Sequence, residues 1–360
     1  MKIYKAEKLF TGSEWLPEHA IIIEENIIKG ILPNSEVQTD LKNVSSHYMI
    51  APSFIDLQIY GAGGRLLAVY PETESIIRLR DYCKEGGANY CVPTVATNSY
   101  EVFFKAIDAI RNYWNEGGKG ILGLHVEGPW INPIKRGAHI ESFIHSPTEK
   151  QVKQLLDYGK DVIKIITLAP EVCSNEIIDL IDSYGIIISA GHSNATFEEA
   201  TAAFDYKIPI ATHLFNAMSS IHHREPGLPA AIMNHSKVMV SIVPDNIHVN
   251  FEMVKLAKKM LGERLFIITD AVTETTSGPY PHTLEGNKYV SNGILSGSAL
   301  TMMKAVKNCV TKCGIELGEA LRMASYYPAT VINKQHELGI IKAGIEANLV
   351  FMNEDLEVVK

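Results

Sequence analysis

Ala211-Thr-His-Leu-Phe-Asn-Ala-Met-Ser-Ser-Ile-His-His-Arg-Glu-Pro-Gly227 is the stretch from which the rest of the chain can be read. It is entered through an apolar run, Ile208-Pro-Ile-Ala-Thr, that ends in His213. Asn216, His222, His223, Arg224 and Glu225 then crowd into a few residues. A core has little use for that density, because each buried polar group needs its own partner. A negatively charged ligand next to a metal would use all of it. Two further segments share the design. Gly120-Ile-Leu-Gly-Leu-His-Val-Glu-Gly-Pro129 is an apolar run ending in Glu127, and Gly185-Ile-Ile-Ile-Ser-Ala-Gly-His-Ser-Asn194 ends in His192.

Working outward, the same alternation of apolar run and amphipathic segment fills the middle of the chain. Strands are predicted at 49–57, 89–95, 120–127, 162–169, 185–190, 208–213, 238–243 and 264–270. Helices are predicted at 74–86, 100–117, 148–158, 175–184, 196–204 and 251–261. Near-continuous apolar strands separated by helices indicate a parallel sheet covered by helices. Eight such strands favour a closed (β/α)8 barrel of the TIM type over an open sheet, with reactive groups at the strand C-termini. Both ends of the chain read differently. Short strand-like runs at 2–4, 20–24 and 27–32, and again at 348–352 and 358–359, lack the apolar mass to fold alone. The expected organisation is therefore an α/β chain of two units: a small β-sandwich from residues 1–48 and 336–360, and a catalytic barrel from 49–335.

Composition fits a globular enzyme: 360 residues, 46% hydrophobic and 21% charged. The net charge of -8 and the lack of a basic run argue against a nucleic-acid surface. An anionic small molecule remains compatible, since one local Arg/His pocket suffices. Five cysteines, Cys83, Cys91, Cys173, Cys309 and Cys313, include no C-x-x-C pair and suit a reducing compartment. No run approaches the ~18 apolar residues of a membrane span, and the N-terminus has no apolar signal core. A cytoplasmic protein without membrane or nucleic-acid partners is expected.

Glu127, His192, His213 and Asp270 all fall at predicted strand ends, which a barrel gathers on one face. Two imidazoles and a carboxylate suit a divalent metal, with a position left for water. Asp270 is then a candidate proton shuttle beside that water. Singly, each of the four also reads as a hydrogen-bonded structural residue or a helix cap. Their order, each after an apolar strand, favours the metal site.

The same residues carry a resemblance. Ala51-Pro-Ser-Phe-Ile-Asp-Leu-Gln-Ile-Tyr-Gly61, the run His125 to His139, Gly191-His-Ser-Asn-Ala195, Thr212 to Met218 with His222 to Gly227, Asp245-Asn-Ile-His248, Thr269-Asp-Ala271 and Ser296 to Met302 run in family order over nearly the whole chain. With them the chain resembles the amidohydrolase superfamily and, within it, the N-acetylglucosamine-6-phosphate deacetylase family. The resemblance implies a metal-dependent barrel with a flanking β-sandwich, and hydrolysis of the N-acetyl group of N-acetylglucosamine 6-phosphate to glucosamine 6-phosphate and acetate in amino-sugar catabolism. It implies Glu127, His192 and His213 as metal ligands and Asp270 as catalytic acid/base. His139 would polarise the acetyl carbonyl. Asn216 and Ala217 would contact the sugar phosphate, and Arg224 and His248 would clamp it, one of them across a homodimer. A guanidinium suits phosphate because of its fixed fork of donors. Read alone, Arg224 is equally a surface partner of Glu225, and His248 a helix-start residue.

Superfamily members with two metals carry His-x-His at the end of the first strand, where this chain has Gln58-Ile-Tyr60. Neither side chain is a favoured ligand, so one divalent metal per subunit is expected, Zn2+ first, with Fe2+, Mn2+ or Co2+ also chemically suited. Gln58 is read as a contact to substrate or water, and the loop Thr273 to Gly278 as a cover over the sugar. Two other functions stay open at this stage. One is a deacetylase of N-acetylgalactosamine 6-phosphate or another amide hydrolase. The other is a non-catalytic sugar-phosphate sensor, against which the complete set of ligands and shuttle argues.

Overall fold

A computed structural model describes residues 1–37 and 43–359. The chain opens with β1 (Lys2–Phe10), β2 (Trp15–Glu24), β3 (Ile27–Pro33) and β4 (Val44–Pro52). Eight strands follow: β5 (Phe54–Ile59), β6 (Ala88–Ala96), β7 (Leu124–Glu127), β8 (Ile163–Leu168), β9 (Ile187–Ala190), β10 (Ile210–Ala211), β11 (Met239–Ile242) and β12 (Leu265–Ile267). A three-stranded meander, β13 (Thr283–Glu285), β14 (Lys288–Ser291) and β15 (Ile294–Ser298), precedes the last strand, β16 (Leu349–Met352).

Strands β5 to β12 lie side by side in chain order, and every neighbouring pair is parallel. The two ends of this sheet meet. The Asp270 N–H donates to the Gln58 carbonyl at 3.0 Å, the Tyr60 N–H donates to the Ala271 carbonyl at 2.9 Å, and Ile59 bridges Ala271 in parallel. The eight strands thus form the expected barrel. A helix follows each in turn: α1 (Thr73–Glu85), α2 (Tyr100–Asn115), α3 (Glu149–Gly159), α4 (Asn175–Ser183), α5 (Phe197–Tyr206), α6 (Gly227–Asn234), α7 (Phe251–Leu261) and α8 (Met302–Thr311). Their apolar faces lie against the sheet; in α2, Phe103, Ala106, Ile107 and Ile110 are buried at helical spacing. Helix α5 starts on a capping box in which Thr196 and Glu199 each bond the other's backbone N–H. Helix α6 was not among the predicted helices, because Gly227 and Pro229 weaken the pattern. Both fall in its first turn, where a proline's missing N–H costs no intrahelical bond. No helix among the described residues is long and apolar enough to cross a membrane.

The chain ends join in one five-stranded sheet of order β16-β4-β1-β2-β3. The short runs foreseen at 2–4 and 20–24 lengthen into β1 and β2, whose paired register extends their alternation. Strand β4 stays in this sheet as far as Pro52, and after the single residue Ser53 β5 enters the barrel at Phe54. Phe54 is fully buried, and a side chain on Gly87 would meet both its ring and Val350, so it packs where the two sheets join.

Several strands are shorter than the apolar runs that predicted them. The run at 208–213 keeps only two ladder residues because the chain leaves the sheet at its polar end. There the His213 N–H donates to Ser241 Oγ at 2.7 Å and the Leu214 N–H to the Ser241 carbonyl at 2.8 Å. Phe54→Ala is expected to cost about 3–5 kcal/mol of stability from the cavity left behind. The check is a lowered unfolding midpoint in denaturant relative to the parent chain.

Candidate active site

The barrel positions its chemistry at the strand ends. Glu127 is the last residue of β7, and His192, His213 and Asp270 lie just past β9, β10 and β12. His192, His213 and Asp270 all have left-handed backbone, at φ 48°, 40° and 53°. Non-glycine residues rarely adopt that region, and such strain concentrates at functional sites. Here it turns each side chain inward. The loop bearing His192 is held by Glu171, whose carboxylate accepts from Ser193 Oγ at 2.6 Å, Asn194 N–H at 2.6 Å and Asn132 Nδ2 at 3.0 Å.

Glu127 is fully buried and sits at the centre. Its Oε1 lies 3.3 Å from His192 Nε2 and 3.2 Å from His213 Nε2, and the two imidazole nitrogens are 3.1 Å apart. Its Oε2 lies 3.2 Å from His139 Nε2 and accepts a hydrogen bond from the Tyr60 hydroxyl. Glu127, His139 and His192 also bring ligand atoms within 4.8 Å of one another, so three histidines surround one carboxylate.

Hydrogen bonds on the far side of two of the rings separate their roles, while His213 Nδ1 is buried without a partner among the described residues. His192 Nδ1 faces the Lys135 carbonyl at 2.9 Å and must donate to it, which leaves the Nε2 lone pair aimed at Glu127 Oε1 and His213. His139 Nδ1 instead accepts from the Thr97 N–H at 3.3 Å, so its proton sits on Nε2, against Glu127 Oε2. His139 is thus a donor and His192 an acceptor. Metal bonds of about 2.0–2.1 Å from one centre place their ligand atoms about 2.9–3.4 Å apart. The triangle of Glu127 Oε1, His192 Nε2 and His213 Nε2 has that size. The residues fit a divalent cation.

Electrostatics agree. Burial would raise the Glu127 carboxyl, but the charge and hydrogen bonds of His192, His139 and His213 hold it well below the usual range. Burial pushes the His192 imidazole down to about 4, reinforced by the neighbouring His139. His213 is raised, because its contact with Glu127 outweighs burial. Burial also raises Asp270, against the attraction of His213 and His248.

A cavity of about 250 Å³ opens over this cluster. Asp270, His139, Asn216, Ala217 and His248 line it with the proposed ligands. Asp245 orients His248, taking its Nδ1–H at 2.6 Å while also accepting the Ile247 and His248 backbone N–H groups. His248 Nε2 lies 3.9 Å from Asp270 Oδ2. Arg224 does not join them. It is exposed on the 222–225 turn and lines no part of this cavity. Tyr60, Tyr280, His282 and Ser296 also line the cavity and were not foreseen as site residues. None of Thr273 to Gly278 lines this cavity, whose wall on that side is made by Tyr280, His282 and the strand carrying Ser296. Gln58 is buried beneath this cavity rather than in its lining, and its amide bonds Tyr60, Glu127 and Asp270.

Residues 49–360 match the Amidohydrolase family, and residues 7–45 match the NagA composite domain. The chain belongs to the amidohydrolase family. Within the family it is 32% identical to the N-acetylglucosamine-6-phosphate deacetylase of Haemophilus influenzae, over 98% of this chain and 95% of that one. It is 31% identical to the N-acetylgalactosamine-6-phosphate deacetylase of Shewanella sp., over 100% of this chain and 94% of that one. The crystal structure of N-acetylglucosamine-6-phosphate deacetylase from Pasteurella multocida superposes with a TM-score of 0.92 at 33% identity, covering 99% of this chain and 97% of that one.

The tautomers give a contrast to test. His192→Ala and His213→Ala are expected to lose bound metal on purification, whereas His139→Ala keeps close to one equivalent. Elemental analysis of the three purified variants checks this, and full metal in His213→Ala would break the assignment.

Proposed function

We propose that this chain hydrolyses the acetamide of N-acetylglucosamine 6-phosphate to glucosamine 6-phosphate and acetate, using one divalent metal, Zn2+ first among the candidates. The observation that carries the reading is the triangle of Glu127 Oε1, His192 Nε2 and His213 Nε2, at 3.1–3.3 Å, with Asp270 beside it in one cavity. The family relationship and the acetyl-sugar phosphate deacetylases to which the chain is similar over nearly its full length support it.

Glu127, His192 and His213 would hold the cation, which when bound supplies Lewis acidity to the acetyl carbonyl and lowers the pKa of water. Asp270 takes a proton from the attacking water as its oxygen bonds to the carbonyl carbon. The His139 Nε2–H donates to the carbonyl oxygen as it gains negative charge, a preorganised stabilisation worth several kcal/mol. Asp270 then returns the proton to the sugar nitrogen as the C–N bond breaks, releasing acetate and the amine. Asn216, Ala217 and His248 position the sugar from the cavity wall. Arg224, outside the cavity of its own subunit, serves the phosphate across a homodimer. Binding energy from the phosphate is thereby used to orient an acetamide that it does not touch. The five cysteines are all free, in keeping with a cytoplasmic enzyme.

The galacto epimer is the second reading, because the chain is also similar at 31% identity to a deacetylase bearing that name. The direct test is acetate release by metal-analysed protein from N-acetylglucosamine 6-phosphate, its galacto epimer and unphosphorylated N-acetylglucosamine. Rapid, metal-dependent release from the first, and slower release from the others, is expected. No release from any of them by fully metallated protein would refute the reading. Asp270→Asn should keep its metal and lose at least about 1,000-fold in kcat, at the upper part of the range for a general acid/base. Arg224→Ala should raise KM for the phosphorylated sugar at least tenfold and leave the unphosphorylated one within twofold; an equal effect on both would make Arg224 structural.

A further inference from the structure

The end of the first barrel strand places two side chains between the two carboxylates of the site. Gln58 is 2% exposed and Tyr60 is 9% exposed. Gln58 Nε2 lies 2.9 Å from Glu127 Oε1, 2.9 Å from Asp270 Oδ1 and 2.6 Å from the Tyr60 hydroxyl oxygen. The amide has two hydrogens, and the two carboxylates are the acceptors that cannot donate in return. The Tyr60 hydroxyl gives its one proton to Glu127 Oε2 and also lies 3.3 Å from Asp270 Oδ1. The Tyr60 hydroxyl thus ties the far oxygen of Glu127, and the Gln58 amide ties the near oxygen of Asp270.

The consequence is selective. Glu127 Oε1 accepts one hydrogen bond, from Gln58, and its other lone pair is directed at His192 and His213, while Oε2 is taken by Tyr60 and His139. Asp270 has Oδ1 taken, and its Oδ2 faces the cavity toward His248 without a hydrogen-bond partner among the described residues. Two buried carboxylates side by side repel and would favour taking up a proton or a second cation. Neutral donors between them serve the same purpose with no net charge.

From this juxtaposition we infer that Gln58 and Tyr60 act as a pair of positioning residues, a neutral clamp that assigns one oxygen of Glu127 to the metal and one oxygen of Asp270 to proton transfer. The clamp is built on the barrel's closing seam, since the Gln58 carbonyl also accepts the Asp270 N–H at 3.0 Å. The backbone thus fixes the spacing at which the side chains act. The inference rests on the deacetylase reading only for its catalytic half.

The test uses the full chain carrying Tyr60→Phe or Gln58→Met, both close in size to the native residue. Zn2+ affinity is measured by competition with a chromophoric chelator, and kcat and KM are measured on N-acetylglucosamine 6-phosphate with one Zn2+ bound. Tyr60→Phe is expected to bind Zn2+ at least tenfold more weakly, in the range for loss of a partner to a ligand. Gln58→Met is expected to lose at least about 100-fold in kcat with KM within threefold. Circular dichroism at an unchanged midpoint shows that either variant is folded, and Gln58→Leu, which likewise has no donor, stands in if Gln58→Met is not. Folded variants whose Zn2+ affinity and kcat stay within twofold of the parent would overturn the clamp, as would a loss carried by KM alone. The Zn2+ competition needs no substrate. A parent chain that binds Zn2+ but releases no acetate therefore refutes the deacetylase reading and leaves the clamp to be decided by the affinity change.

Discussion

One buried charge organises the active face. Glu127 has no solvent exposure, so everything its carboxylate needs must come from protein or from a bound cation. Removing one partner of a buried charge typically costs about 3–5 kcal/mol. The partners here come from separate parts of the barrel: Gln58 and Tyr60 at the first strand, His139 from the loop after β7, His192 after β9 and His213 after β10. Closing the barrel and satisfying this carboxylate are therefore the same event.

The layer beneath the site shows how the fold tolerates such polarity. His125 Nε2 bonds Thr167 Oγ1 at 2.7 Å, Thr167 bonds Thr212 at 2.8 Å, and Thr212 bonds Ser189 at 2.5 Å, all within the barrel. Small hydroxyls leave room for the ring of His125 and pair with one another, so the polar groups of the layer are satisfied within the barrel. Asp56 extends it, accepting from Thr269 Oγ1 and N–H and from the Gln58 N–H, while burial raises its carboxyl to about 7. Above this floor the backbone can afford left-handed residues at His192, His213 and Asp270, each worth roughly 1–3 kcal/mol of strain.

Much of this was legible in the residues. The apolar runs ending in Glu127, His192, His213 and Asp270 gave both the barrel and the gathered cluster, because strand polarity fixes which end a residue occupies. Other parts were hidden for definite reasons. Gln58 and Tyr60 look like a loss when read against His-x-His; their value as donors shows only once two carboxylates flank them. His282 and Ser296 lie on a meander whose strands carry no signal of where the sheet folds, so their place on the cavity wall was not foreseeable. Strand lengths were overread, since an apolar run does not mark where the backbone leaves the ladder. Arg224 was assigned to the phosphate by the family resemblance, and it stands outside the cavity of its own chain.

The sequence by itself determined the order of strands and helices, the parallel barrel they imply, the sheet shared by the two chain ends and the residue types brought to one face. Periodicity and composition act locally and survive without knowledge of the fold. Only the tertiary structure decided which nitrogen of each histidine points at Glu127, which oxygen of Asp270 is free and what fills the space between the carboxylates. Those are matters of hydrogen-bond partners contributed from more than 40 residues away, such as Thr97 to His139, Gln58 to Glu127 and Gln58 to Asp270. No pattern along the chain encodes a contact that exists only when the barrel closes.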